Sequence, residues 1–297
     1  MYVKEIEKQL IILNGDIKMN NNQNKNYPIN LIGISGRIGS GKDTVGKIIQ
    51  YLLYMSEEVK GRYYPYDVFI DELETVNFHG SVNYEIKKFA DKLKDFVCML
   101  IGCTREQLEN REFKEKELGE EWNCYIFNNG KKEELTLNYN IAKTLSADNR
   151  IISRILTPRL LLQIIGTECI RDKVHPNAWV NALFADYKAK WVPTGDSVAE
   201  EDVSLEKEYP NWIITDMRFP NEMEAVKNRG GITIRVNRPY STVAGDNGIP
   251  ATFNHAQFHP SETALDDAEF DYTIENDSSI EDLIHTVSLI LKREKII

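Results

Sequence analysis

A short apolar run, "NLIGIS" at residues 30–35, ends directly on the loop "GRIGSGKDT" at 36–44. A strand feeding a glycine-rich loop, followed over 44–55 by apolar residues at helical spacing, leaves few folds open. Such a loop turns at the carboxyl end of a strand and exposes backbone N–H groups at the positive end of the next helix, which together cradle anions. Gly36, Gly39 and Gly41 let the backbone wrap around phosphate oxygens, with Arg37 and Ser40 between them, and Lys42 reaches the outer phosphates. The spacing is G-x-x-x-x-G-K-[ST] in all but its last position, where Asp43 replaces the hydroxyl residue that usually ligates Mg²⁺. A carboxylate is a better oxygen ligand for that ion. Asp43 is therefore expected to touch Mg²⁺ directly or through one water, and Thr44 to hydrogen-bond the inner phosphate. The pattern predicts a bound nucleotide.

The rest of the chain alternates strand and helix signals. Residues 1–28 read as an N-terminal tail, a short amphipathic helix and then an Asn-rich stretch, and the domain proper spans 29–297. "VFIDE" at 68–72 reads as a second strand or part of an irregular insertion. The stretch 83–118 reads as helical, with Phe89, Leu93, Phe96, Val97 and Leu100 on one face. Residues 119–150 are polar and read as an insertion. Thr157 and Pro158 open two helices over 157–190, broken near 172–176. An acidic loop follows at 195–210. "NWIITDM" (211–217) is a strand, "RFPNEMEAVKNRGG" a helix closed by glycines, and "GITIRVNRP" (231–239) a third strand. The Gly/Pro-rich loop 240–262 is too long to be idle, and a last strand (270–277) leads into a capped helix (279–295). The pattern predicts an α/β fold, a parallel sheet flanked by helices.

Composition excludes several roles. A net charge of −10 argues against general affinity for nucleic acid or anionic membranes, while leaving room for a local basic pocket. Cysteines 98, 103, 124 and 169 form no C-x-x-C pair and read as reduced thiols. His255 and His259 are hemmed in by Pro250 and Pro260, which argues against a zinc-binding helix. No run approaches the roughly 20 apolar residues of a membrane span, and the N-terminus lacks the order of a secretory signal, so the expected location is the cytoplasm.

Phosphate chemistry needs cations, because transfer between two anions must offset charge in the transition state. Candidates are Arg37, Lys92, Arg159, Arg171, Arg218, Arg235 and Arg238, each in or beside a loop or helix end. Each also fits a solvated surface charge, except Arg218, which lies just past the "IITD" strand where ligands bind in open α/β sheets. Asp216 ends that strand, as an acidic partner of metal or substrate or as a cap for the helix at Pro220. Gln163, Thr167 and Glu168, at i, i+4 and i+5, form a polar stripe that reads a base or sugar edge or faces water. Trp179 and Phe89 either stack on a base or fill the core. His259 and Glu262 close the long loop, as a lid over phosphates would require.

Six blocks in order, "GISGRIGSGKDTVGKII", "FADKLKD", "TPRLLLQIIGTECIR", "HPNAWVNAL", "IITDMRFPNEMEAVKNRGG" and "FHPSETALDD", resemble the deoxynucleoside monophosphate kinases of bacteriophages, P-loop enzymes akin to adenylate and dephospho-coenzyme A kinases. The resemblance covers about 30–295, leaving inserts near 56–82, 119–150 and 192–209. The family commonly has Asp-Thr after the lysine; this chain departs from it at Ser279, where glycine is usual. The resemblance implies a P-loop kinase fold with a helical acceptor-binding region over about 83–190 and a lid loop over about 240–262. It implies ATP and Mg²⁺, and phosphoryl transfer to (deoxy)nucleoside monophosphates. Catalysis would fall to Lys42, Arg171, Arg218 and Asp216. The donor would rest on 36–44 and on Asn276 in "ENDSS", and the acceptor on Lys92, Arg159, Gln163, Thr167, Glu168, Arg171, Trp179, Arg218, Arg238, His259 and Glu262. An acceptor phosphate is already nucleophilic, so no general base is required.

The implied partners are small molecules, with no nucleic acid or membrane, and a homodimer is left open; the cytoplasm would be the host's if a phage encodes the chain. Two other readings stay open: a small-molecule kinase of the dephospho-coenzyme A type, and a nucleotide-gated switch without an acceptor. A bare switch has no use for the second polar pocket suggested by 157–190 and 211–222.

Overall fold

The computed structural model describes residues 29–56, 64–73, 75, 82–119, 122, 125–128, 131–134, 156–194, 204–238 and 263–297. The tail 1–28 and the loop 240–262, with His255, His259 and Glu262, lie outside the described residues, as does Cys124. The chain divides into two compact units, one made of 1–89 with 183–297, the other of 90–182.

The first unit is built on β1 (Leu31–Ser35), β2 (Tyr84–Lys87), β7 (Asn211–Ile214), β8 (Ile232–Asn237) and β9 (Tyr272–Glu275). All pair in parallel, in the order β2-β7-β1-β8-β9. A parallel sheet is covered on both faces, so its central strand must be apolar throughout, and every residue of β1 is buried. Alternate side chains then separate by face. Ile32 and Ile34, level with Ile232 and Ile234, join Ile213 and Val236 against α1 (Lys42–Tyr54) and α9 (Ile280–Arg293). On the other face Gly33 admits Met217 and α8 (Pro220–Lys227): a Cβ at 33 would lie 3.1 Å from Met217 Sδ and 3.2 Å from both Val226 methyls. Trp212 packs there with Phe184 and Tyr187, ring centroids 6.3 and 4.9 Å away.

Two expectations for this unit are corrected. "VFIDE" belongs to a helix, α2 (Tyr66–Leu73), not a strand. Only Phe69 is buried there, seated against the Tyr51 and Tyr54 rings at 5.5 and 5.4 Å, while Val68, Asp71 and Glu72 stay exposed. One aromatic anchor suffices for a short helix, and the β-prone residues beside it bury too little to pair. The helical reading of 83–118 likewise fails at its start, because Tyr84–Lys87 is the edge strand β2. Tyr84 alone is buried in it, so no alternation showed. Its place is set by β7 on one side and by Gln50, whose Nε2 donates to the Tyr84 carbonyl at 2.8 Å.

The second unit holds α3 (Asp91–Ile101), α4 (Arg105–Glu109), α5 (Arg111–Glu115) and α6 (Pro158–Gln163). Thr104 opens α4 with a capping box, its Oγ1 accepting from the Gln107 N–H while Gln107 Oε1 accepts from the Thr104 N–H. Thr157 caps α6 as expected, accepting from the Leu160 N–H, with Pro158 behind it. After Gln163 the helix widens into a π-turn segment, Ile164–Arg171, and α7 (Ala178–Phe184) follows the break. Gly166 lies where a Cβ would sit 2.7 Å from Leu93 Cδ2, and its carbonyl accepts from Trp179 Nε1 at 2.8 Å. The apolar face of α3 is narrower than expected. Val97 and Cys98 are buried among Leu108, Leu161 and Ile165, but Phe96 and Leu100 are 41% and 43% exposed. Phe89 precedes the helix and packs on Phe184.

Two regions read as loop or insertion contain antiparallel pairs: β3 (Tyr125–Asn128) with β4 (Lys131–Glu134), and β5 (Lys190–Thr194) with β6 (Ser204–Glu208), the latter inside the expected acidic loop. Each pair is short, four or five residues per strand, and a run that short carries little periodicity to set it apart from a loop. No helix among the described residues is long and apolar enough to cross a membrane.

Ile213 is fully buried at the centre of the sheet's larger core. Ile213→Ala should cost about 2–5 kcal/mol, the range for large-to-small changes in a close-packed core. Urea unfolding should show a lower midpoint with an unchanged slope.

Candidate active site

The chain leaves β1 for strands on one side of the sheet and returns to strands on the other, which opens a crevice at the carboxyl end of β1. The loop 36–41 fills that position. Gly39 and Gly41 have φ of 78° and 93°, a conformation that side-chain-bearing residues rarely adopt. Gly36 is required for a different reason: a Cβ there would fall 2.3 Å from Ser40 Oγ and 2.6 Å from the Val236 carbonyl oxygen. Asn276, past the end of β9, donates from Nδ2 to the Ser40 carbonyl at 2.8 Å and from its backbone N–H to the Asn237 carbonyl at 2.7 Å. It thus clasps the loop to the sheet. Ser40 Oγ is buried and has no hydrogen-bond partner among the described residues.

Lys42 begins α1 and is 8% exposed, its Nζ donating to the Arg37 carbonyl at 3.4 Å. Burial lowers its pKa, and the positive charge of Arg218 adds to that, against the opposing pull of Asp43 and Asp216. Asp43 Oδ1 accepts from Thr215 Oγ1 and from Lys88 Nζ, both at 2.9 Å. Burial pushes the Asp43 carboxyl up, but the hydrogen bond and charge of Lys88, the Thr215 hydroxyl and Lys42 outweigh it and hold the group below its ordinary value. Asp216 Oδ1 accepts from the Phe89 N–H at 2.7 Å. The cap of α8 comes instead from Glu222, buried, whose Oε2 accepts from the backbone N–H groups of Arg218 and Phe219 at 2.7 and 3.1 Å. Asp216 lies near enough to Lys42 for its charge to act there, as do Asp43 and Arg218.

On the opposite side of the loop lies a cavity of about 650 Å³, walled by the loop residues 37–40, by Arg235, Asn237 and Arg238, and by Leu265, Asp266 and Phe270. Asp266 spans two guanidinium groups there, Arg37 Nη2 and Arg235 Nη2, each at 2.6 Å. Arg235 also donates from Nη1 to Ser35 Oγ at 3.2 Å. Arg37 and Arg235, expected to serve phosphates, thus share one carboxylate.

The remaining candidates belong to the second unit. Lys92 is exposed on α3, and Arg159 pairs through Nε with Glu115. Gln163 precedes the π-turn segment and Thr167 and Glu168 lie in its middle, Gln163 and Glu168 exposed and Thr167 half-buried, and Arg171 ends it. Trp179 uses its indole N–H on Gly166 and packs into the helical core.

Sequence reasoning missed Lys88, Thr215, Glu222 and Asp266. Lys88 lay in a stretch read as helical. Had 84–87 been read as a strand, Lys88 would have stood just past its carboxyl edge. Glu222 had a usable signal, an acidic residue two positions after a proline at a helix start.

No cluster of three or more His, Cys, Asp or Glu residues suited to a metal occurs among the described residues. The chemistry of the donors still fits Mg²⁺, which commonly takes one or two carboxylates and completes its shell with phosphates and water. Asp43 is ionised, and its protein contacts fall on Oδ1.

The family model "Deoxynucleotide monophosphate kinase" matches residues 108–287, more than half of the chain. The chain is 26% identical over 246 residues to a deoxynucleoside-5'-monophosphate kinase of Escherichia phage T5, covering 79% of this chain and 84% of that one. It is 28% identical over 130 residues to a putative deoxynucleotide monophosphate kinase of Acanthamoeba polyphaga mimivirus, covering 42% and 56% of the two chains. The match to the phage protein is long enough to require segments outside 108–287.

The clasp on the loop is testable. Gly41→Ala forces a Cβ to within 2.4 Å of Asn276 Nδ2 at a φ of 93°. Strain and the broken hydrogen bond together should cost about 2–3 kcal/mol. Asn276→Ala removes only the hydrogen bond and should cost about 1 kcal/mol. Urea midpoints of the two variants should rank in that order.

Proposed function

The chain belongs to the deoxynucleotide monophosphate kinase family, and from that premise we propose that it transfers the terminal phosphoryl group of ATP, in the presence of Mg²⁺, to a deoxynucleoside monophosphate. The products are ADP and the deoxynucleoside diphosphate. The observation that carries this reading is a buried lysine at the head of a helix, in a glycine loop, with Arg218 and two carboxylates beside it. Such a set suits a polyanion whose outer phosphate is in transit.

In this reading the loop N–H groups hold the donor phosphates, and Ser40 Oγ supplies a further hydrogen bond from a position where it has no protein partner among the described residues. The donor nucleoside fits the 650 Å³ cavity, whose size lies within the roughly 300–1,000 Å³ of small-molecule clefts. Phe270 and Leu265 offer an apolar wall to a base, and Asn237 and Arg238 offer polar edges. Mg²⁺, held through Asp43, would offset charge on the phosphates. Lys42 and Arg218 then act on the phosphoryl group from a desolvated setting, where a fixed charge acts more strongly than in water. Asp216 orients this set from the end of β7. We assign the acceptor's phosphate to Arg218 in the first unit, and within the second unit Lys92, Arg159, Gln163, Thr167, Glu168 and Arg171 are the candidates for acceptor contacts. The acceptor's own phosphate oxygen attacks, so the protein's task is positioning, neutralisation and exclusion of water.

ADP formation from ATP and Mg²⁺ should depend on added deoxynucleoside monophosphates and not on dephospho-coenzyme A. Slow ADP release indifferent to every acceptor would instead identify a nucleotide switch. Lys42→Ala should lower the transfer rate about a hundredfold or more, the scale of an electrostatic donor in catalysis, with the fold intact by circular dichroism.

Arg218→Lys keeps the charge but loses the planar fork that grips a phosphate through two bonds. Its specificity constant for the monophosphate should fall by about 1–3 kcal/mol, with ATP binding little changed. Loss of ATP affinity with normal monophosphate use would move Arg218 to the donor side.

A further inference from the structure

Lys88 follows the last residue of β2 and holds Asp43 Oδ1 at 2.9 Å. The next residue, Phe89, holds Asp216 Oδ1 through its backbone N–H at 2.7 Å. Two consecutive residues at the exit of the edge strand therefore fix both carboxylates of the crevice, one by a side chain and one by the backbone. Among the described residues, the charges acting on Lys42 are those of Lys88 and Arg218, which with Lys42 make three cations, against two anions, Asp43 and Asp216. The balance is positive, so a bare divalent cation is repelled, most strongly by the ammonium already bound to the same carboxylate. A polyphosphate reverses the sign of that balance.

A carboxylate after the loop lysine has a consequence that a hydroxyl does not. A hydroxyl binds a bare divalent cation weakly, whereas an aspartate beside a second aspartate attracts one. We propose that Lys88 is the internal counter-ion of Asp43, reserving this carboxylate for a divalent cation that arrives with nucleotide phosphates. Lys88 is in this sense a positioning residue acting through Asp43. When a phosphate-borne cation takes the carboxylate, the ammonium turns to the phosphates and adds a third positive charge beside Lys42 and Arg218. The inference rests on the donor nucleotide occupying the loop, as proposed above.

The test uses Mn²⁺ as the probe, with free Mn²⁺ followed by electron paramagnetic resonance in the full-length protein, with and without a non-hydrolysable ATP analogue. Without nucleotide, Lys88→Met should bind Mn²⁺ at least about tenfold more tightly than the wild type, since one repelling charge is removed at close range. Adding Asp43→Asn should cancel that gain, and Lys88→Arg should behave as wild type. The increase in Mn²⁺ affinity on adding the analogue should be smaller in Lys88→Met. Equal Mn²⁺ affinity of Lys88→Met and wild type without nucleotide overturns the proposal, and so does a gain that survives Asp43→Asn. Should Lys88→Met fail to fold, Lys88→Gln keeps a donor for Oδ1 without the charge and carries the same two outcomes. A failure of the kinase reading shows itself separately, as wild-type protein that makes no acceptor-dependent ADP, while the Mn²⁺ titration still reports on Lys88.

Discussion

Burying an ammonium group costs on the order of several kcal/mol unless nearby charges and dipoles offset it, and the architecture around Lys42 is organised by that cost. Lys42 sits at the head of α1, where the helix end is itself positive, so its neighbourhood is unfavourable twice over. The Arg37 carbonyl, Asp43 and Asp216 work against this, while Arg218 and Lys88 add to it. The net effect is a lysine whose charged form is incompletely stabilised by the protein. A group in that condition gains most from an incoming anion. The same imbalance that makes the loop costly to build is what the proposed phosphate site would draw on.

Holding such a loop requires external support, because a chain with two left-handed glycines has no rigidity of its own. Support comes from both sides of β1. Asn276 ties Ser40 to the end of β9, and Gly36 lets the loop lie directly on β8. On the other side Thr215, at the end of β7, holds the first turn of α1 through Asp43. The sheet order, with β1 between β7 and β8, places these supports within reach. Topology and site geometry are thus one constraint.

How far this was legible in sequence follows from the same physics. The loop could be read because backbone wrapping demands glycine at fixed spacing, and Arg218 because a buried strand announces where its carboxyl edge falls. The edge strand β2 could not be read: one buried residue in four leaves no period, and the charged residues around it favour a helical reading. Lys88 was lost with it. The arginines were legible as cations but not as partners. Arg235 is largely buried, and a buried guanidinium finds a carboxylate within the fold, here Asp266, which also takes Arg37. The widening of the helix after Gln163 had no pattern to betray it, and the contacts of Gly166 within it, to Leu93 and Trp179, exist only in three dimensions.

The aspartate in place of a hydroxyl after Lys42 is the point at which sequence and structure explain each other. Read alone, the change looks like a stronger metal ligand with an unwelcome charge. In the fold, a hydroxyl is still present at the site, supplied by Thr215 at the end of the neighbouring strand and donated to Asp43 Oδ1. Lys88 meets the same oxygen from β2. The carboxylate thus draws three elements of the sheet edge together, which a serine at this position, with one short donor arm, would not span. The role toward a cation proposed for the carboxylate is compatible with the first, because its polar contacts among the described residues are gathered on a single oxygen. One residue thus assembles the crevice, and under the proposed cation role it would also serve its chemistry, provided that Lys88 gives up its hold when a stronger cation arrives.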